Sequence, residues 1–281
     1  MSSQTRYSGR IAALATLHGK EAAISPVFGD ELGIQVQLAG VDTDQFGTFS
    51  GEIPRGLSQL DTAIAKANEA IKQTGQTLAI ASEGTVGPDP LVPIISSDLE
   101  TLVFVDSELG LVIHESYRST NIKLVRQEFQ PGDNLEEFLA KADFPNHGLI
   151  VKTKPSKDFQ AMKGLTDELS LREAINQLSQ NGESVIVESD LRANYCPSRM
   201  LNIAECAKLL AKRIASDCPS CQAPGWGRIE PLFGLECGDC GDWVATAVSA
   251  DRMGCVSCSY VEEKFRPSRS AEPRFCPSCN P

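Results

Sequence analysis

Eight cysteines in the last quarter of the chain form four Cys-x-x-Cys knuckles: Cys218/Cys221, Cys237/Cys240, Cys255/Cys258 and Cys276/Cys279. The gaps between knuckles are 15, 14 and 17 residues, the intervals 222–236, 241–254 and 259–275. A two-residue gap lets both sulfurs of a knuckle point at one ion, and two knuckles complete a tetrahedral thiolate shell. The spacing therefore predicts two Zn²⁺ sites. Four pairs favour metal over redox chemistry, which needs one pair, and a closed thiolate shell leaves no position for a reacting water. The ions are expected to be structural, since residues 218–281 carry too few apolar side chains to fold by burial alone. Strands read at Asp242–Val248 and Tyr260–Phe265 favour joining Cys237/Cys240 to Cys255/Cys258 in a zinc ribbon. The outer pairs, which share the text Cys-Pro-Ser-Cys, would hold the second ion. Sequential and cross-braced pairings stay open. Cys196 and Cys206 fall outside the spacing and read as ordinary thiols.

A second set of chemically capable residues lies in two polar, glycine-bearing loops, 42–55 and 82–90. Glu52 and Glu83 on converging loops would suit Mg²⁺, which takes carboxylate oxygens together with substrate phosphates. Such an ion would neutralise phosphate charge and orient a water, giving the two acids a catalytic role. Lys20 near a helix start is placed to meet a phosphate. Arg55, Arg192 and Arg199 offer forked donors for further phosphate oxygens. Gly47, Gly51, Gly84 and Gly87 would let the backbone approach closely. Each charge also has a plainer reading as a solvated loop side chain, and Arg199 as a helix-start ion pair. His18 is a candidate for ligand contact, whereas His114 reads as a half-exposed strand residue and His147 as a turn residue.

The elements that must position these groups follow from hydrophobic period. Strands are expected at Ile11–Leu17, Ile34–Val41 and Thr77–Ala81, with a short helix between the first two around Gly19–Phe28. Ser58 and Asp61 can cap a helix whose apolar face carries Leu60, Ile64, Ala67 and Ile71, ending at Gly75. A hairpin is expected from Leu102–Val105 and Leu111–Ile113 around the turn 106–110. Further on, Leu135–Leu139 reads as a helix and Leu149–Val151 as a strand, with 153–169 a surface excursion. Ser170 and Glu173 form a capping box for a helix ending near Asn181-Gly182; Val185–Val187 is a strand and Met200–Ala215 a long helix. The expected architecture is α/β: a mixed sheet flanked by helices over residues 1–216, and a double zinc-ribbon module over 217–281.

Length and composition agree with an ordinary globular chain: 281 residues, 41% apolar and 22% charged. The first ten residues hold no apolar export segment and Ile11–Leu17 is too short to span a bilayer, so a cytoplasmic protein without membrane contact is expected. The formal charge is -11, and residues 218–281 hold six Lys/Arg against eight Asp/Glu. Nucleic-acid affinity rests on a basic footprint, so that partner class is disfavoured.

Residues about 10–215 resemble the inosine/xanthosine triphosphatase superfamily, which cleaves non-standard nucleoside triphosphates to monophosphate and pyrophosphate. The carriers are Thr16-Leu-His-Gly-Lys20, Phe46-Gly-Thr-Phe-Ser-Gly-Glu52, Ala63-Ile-Ala-Lys-Ala67 and Ala79-Ile-Ala-Ser-Glu83-Gly84, with the hairpin Leu102–Ile113 in the same order. His18 stands where the superfamily has Asn, and Ser82-Glu83 replaces a paired acidic motif. The resemblance implies a Mg²⁺-dependent hydrolase that binds a nucleotide. The whole chain also resembles a bacterial family with the same cysteine tail. The alternative function is a ligand-sensing or adaptor protein whose zinc tail docks a protein or RNA partner.

Overall fold

The computed structural model describes residues 6–43, 57–156, 159–179 and 182–281. It comprises two compact units, Met1–Ala211 and Lys212–Pro281. The first unit contains β1 (Ile11–Ala15), α1 (Glu21–Leu32), β2 (Gln35–Leu38), α2 (Gln59–Thr74), β3 (Leu78–Pro88), β4 (Ser96–Asp106) and β5 (Leu111–Ser119). These strands form one mixed sheet in the order β2-β1-β3-β4-β5. β1 runs parallel to β2 and β3, while β4 is antiparallel to both its neighbours.

Alternation along β4 assigns the two helices to opposite faces. Val103 and Val105 join Ala13, Ala15, Ala79 and Ala81 against Ala63, Ala67 and Ala70 of α2. Phe104 points the other way, and its ring lies 6.4 Å from that of Phe28 in α1. The α2 contact is built from alanines, so helix and sheet approach closely. Ser58 caps α2 by accepting from the Asp61 N–H at 3.1 Å, as its sequence predicts. The buried stripe differs from the expected one: it is Thr62, Ala63, Lys66, Ala67 and Ala70, with Leu60, Ile64 and Ile71 only packed at its border.

A second sheet of four strands follows, in the order β6-β9-β7-β8: β6 (Arg126–Phe129), β7 (Leu149–Lys152), β8 (Ala161–Leu165) and β9 (Val185–Ser189). Its apolar face packs on α3 (Glu136–Ala142) and α4 (Glu168–Leu178) through Phe138, Leu171, Ala174 and Ile175. The excursion expected at 153–169 thus contains β8. The cap of α4 is Asp167, which accepts from Ser170 N at 2.8 Å; Ser170 itself lies inside the helix. α5 (Pro197–Ile214) begins three residues before the expected Met200 because Pro197 suits a first helical position. Among the described residues no helix is long and apolar enough to cross a membrane.

The second unit holds an antiparallel sheet in the order β10-β11-β12: β10 (Gly227–Glu236), β11 (Trp243–Gly254) and β12 (Val261–Phe265). β10 is absent from the sequence reading because Pro231 and Gly234 interrupt its pattern; the pairing register shifts around both.

Candidate metal centres and a buried charge site

The β10–β11 hairpin decides which knuckles meet. Gly227 pairs with Gly254 at one end and Glu236 with Trp243 at the other. Knuckle Cys237/Cys240 is the turn at the second end, and Cys255/Cys258 follows the first. Ten residues of strand separate them, about 30 Å at roughly 3.3 Å per residue. The favoured pairing of these two knuckles is therefore wrong, and the cross-braced alternative holds. Cys218, Cys221, Cys255 and Cys258 form one tetrad, and Cys237, Cys240, Cys276 and Cys279 the other. The last knuckle is brought to the second tetrad by main-chain bonds, Gly238 N to Ala271 O at 3.0 Å and Ala271 N to Glu236 O at 2.8 Å.

Both tetrads fit zinc. A tetrahedral ion with Zn–S of about 2.3 Å places its sulfurs about 3.8 Å apart. The sulfur separations are 3.9 Å (Cys218–Cys258), 3.6 Å (Cys221–Cys255), 3.8 Å (Cys237–Cys279) and 3.6 Å (Cys240–Cys276). Backbone N–H groups of Cys240 and Asp239 push the Cys237 thiol down to about 7, while neighbouring Cys240 and Cys237 push Cys279 up to about 12. Sulfurs this close cannot all ionise without a cation, which is what a bound dication supplies. Four thiolates per ion close the shell, so each centre can hold a fold together and has no open position for chemistry.

In the first unit the loop expected at 82–90 is largely strand, since β3 continues to Pro88. Adjacent residues of a strand face opposite ways, and this splits the candidate residues between two faces. On the α2 face Glu83 is ion-paired with the Nζ of Lys66, both buried. The Gln59 side chain spans the same region, donating to Glu83 O at 2.9 Å and Leu99 O at 2.8 Å. On the α1 face Lys20 donates to Ser82 Oγ at 2.9 Å. Gly84 comes next on that face, opposite Glu100 of β4. The Nε of Arg199 donates to Glu100 Oε1 at 2.8 Å, and its Nη2 bonds the same oxygen. Arg199 Nη1 is taken by Leu191 O. Asp98, two residues before Glu100, accepts from Asn202 Nδ2 at 2.9 Å.

Lys20 and Arg199 are thus gathered on one face around Ser82, Asp98 and Glu100, with the Lys66–Glu83 pair behind them. Burial pushes the Lys20 ammonium down to about 8 against the attraction of Glu100. Burial and then the charge of Glu100 push Asp98 up to about 7. Arg192 is committed elsewhere: it forks onto Asp190, with Nη2 2.6 Å from Oδ2, and lies 4.5 Å over the Tyr195 ring. Glu52 and Arg55 lie outside the described residues. His18 sits half-buried in the turn after β1, and His114 half-buried on β5.

Among the described residues the only groups of three or more ligating side chains close enough to share an ion are the two cysteine tetrads. Glu83 is held by Lys66 and Glu100 by Arg199, and nothing among the described residues supports a Mg²⁺ site. A cavity of about 710 Å³ opens beside α3 and the start of α4, lined by Phe144, Pro145, Asp167 and Arg172, and contains none of the candidate residues.

Sequence reasoning missed Lys66, Asp98, Glu100 and Asn202 as parts of the charge site, and His147 as a buried group. His147 Nδ1–H donates to Asp143 Oδ2 at 3.0 Å. The Ser198 N–H points at Nε2 from 3.3 Å and the Ser198 hydroxyl lies at 3.1 Å, so Nε2 is the accepting nitrogen. This Asp143–His147–Ser198 chain satisfies the first turn of α5 one residue before Arg199.

The architecture and the two tetrads define an α/β protein with a small cross-braced metal-binding module at its carboxyl end. Residues 66–281 match a family described as Domain of unknown function (DUF6671), and the chain belongs to that family. The match covers Lys66, Glu83, Arg199 and all eight knuckle cysteines, and begins after Lys20. A search of curated proteins finds no match. Neither comparison supports the triphosphatase resemblance, which rests on the residues alone.

Proposed function

We propose that the protein binds the phosphate groups of a nucleotide at the Lys20–Arg199 face of its first unit, while two zinc ions serve only to fold the second. The observation that carries the reading is the convergence of Lys20, Ser82, Glu100 and Arg199 at the β1–β3–β4 strands. These come from four separate stretches of sequence. Lys20 keeps donor capacity beyond its bond to Ser82, because an ammonium carries three hydrogens. The order of elements from β1 to β5 is also the one the triphosphatase resemblance implies. On that reading Glu83 is the acid that would serve hydrolysis to the monophosphate and pyrophosphate. The zinc-loaded protein should be tested against standard and non-standard nucleoside triphosphates, with and without Mg²⁺, reading pyrophosphate release and thermal shift together. Turnover that disappears in Glu83→Gln while the nucleotide-induced thermal shift is retained supports the hydrolase. Absence of both turnover and shift removes the nucleotide reading.

A second reading is favoured by the occupation of Glu83 by Lys66. An acid already neutralised by a buried lysine suits binding without chemistry. The protein would then be a sensor or adaptor, with its zinc module docking a protein or RNA partner. A thermal shift without turnover selects it.

A further inference from the structure

We propose that Asp98 and Glu100 hold a single proton between them, and that this proton gives the Lys20–Arg199 face the net positive charge with which it takes an anionic ligand. The second half rests on the phosphate-binding reading above; the first stands on the geometry of the pair.

Asp98 and Glu100 lie on one face of β4 and are both fully buried. Glu100 Oε1 is filled by Arg199, and Asp98 Oδ2 by Asn202. Glu100 Oε2 and Asp98 Oδ1 meet no donor among the described residues. Arg199 Nε is 3.9 Å from Asp98 Oδ1, too far to bond it. The two carboxyl groups stand two residues apart on the same strand face and share the one guanidinium of Arg199. Two ionised carboxylates buried side by side would repel. A proton on one relieves that repulsion, as in other carboxyl pairs.

Among the described residues, few charged or titratable groups surround the pair. From α5 and its approach come Arg199, Cys206 and Cys196, and burial raises both thiols so that they stay uncharged. Glu115 of β5 stands behind Cys206. From the turn before α1 comes Lys20, and on the far side of β3 Lys66 and Glu83 cancel one another. Lys20 and Arg199 thus face two carboxyls. With one proton shared the face carries one positive charge in excess; without it the face is neutral. Asp98 gives up its proton near 7 and Lys20 near 8. Anion affinity should therefore fall in two successive steps as pH rises.

The test uses the full-length zinc-loaded protein and inorganic triphosphate as probe, titrated calorimetrically below, between and above those two values. Infrared spectra of the ligand-free protein report protonated carboxyl directly. Asp98→Asn is isosteric with the protonated acid and cannot ionise. Glu100→Gln supplies a second comparison should that variant fail to fold. Wild-type affinity should fall about tenfold per pH unit through the lower step, the slope for one linked proton. Asp98→Asn should keep only the upper step and lose the protonated-carboxyl band, while Glu100→Gln should move the lower step to lower pH, since burial of Asp98 remains when the Glu100 charge is gone. Identical pH profiles in wild type and variants, or no such band in the wild type, would overturn the proposal while leaving phosphate binding intact. Failure of triphosphate to bind at any pH would refute the phosphate reading and the role given to the proton, with the band alone still reporting the pair.

Discussion

Gly84 shows how tightly single atoms constrain the charge site. A Cβ there would stand 2.5 Å from Glu100 Oε1 and closer still to the Arg199 guanidinium, so Arg199 can reach Glu100 only across a residue without a side chain. Gly84→Ala should cost about 3 kcal/mol, the scale of a broken buried ion pair, measured by urea unfolding. A cost within the range of a surface substitution would mean that the pair re-forms elsewhere. Asp98 gives a prediction of defined sign. Its carboxyl is raised from the ordinary 3.8 to about 7, so the folded chain keeps a proton that the unfolded chain releases. That contribution is complete below about pH 4 and is lost as pH rises through about 7. Stability curves of Asp98→Asn should be flatter than wild type across this window; parallel curves would show that Asp98 does not titrate there. Neither Asp98 nor Glu100 announced itself in the sequence. Asp98 and Glu100 alternate with Leu99 and Thr101, the pattern of a strand face open to water, and only α5 packed against them makes that face an interior.

At the scale of elements, α2 was legible in its ends and misread in its rotation. Ser58 and Gly75 mark its limits by capping chemistry that acts locally. The choice of buried face is tertiary: the small side chains of Ala63, Ala67 and Ala70 win because they let the helix sit close to the sheet, and Lys66 is carried in with them. A lysine at helical spacing among alanines was the available signal. Lys66→Ala should therefore destabilise by about 3 kcal/mol by leaving Glu83 buried without its cation. Lys72→Ala, on the exposed side of the same helix, should change stability by no more than about 0.5 kcal/mol. Equal effects in chemical denaturation would place Lys66 on the surface. Likewise β10 escaped notice because Pro231 and Gly234 break its period, and with it went the means of pairing the knuckles. The spacing of cysteines names the metal; the strands between them decide which cysteines share it.

For the whole molecule, the metal centres and the buried charge site fall to different units. The cysteine tetrads lie within Lys212–Pro281 and the charge site within Met1–Ala211. Removal of zinc by a chelator should unfold the second unit, because little apolar surface replaces the metals. Both tryptophans, Trp226 and Trp243, lie in that unit, so their fluorescence reports its loss. Unchanged emission after complete zinc removal would show a fold independent of metal. The cross-brace is the claim on which this division rests, and zinc content tests it most directly. Replace Cys218, Cys221, Cys255 and Cys258 together with serine and measure metal per chain by elemental analysis. One ion is predicted, since a single tetrad has been removed and Cys237, Cys240, Cys276 and Cys279 are untouched. No ion at all would contradict the account, for it would mean that each site had lost half its ligands and the knuckles pair in another order.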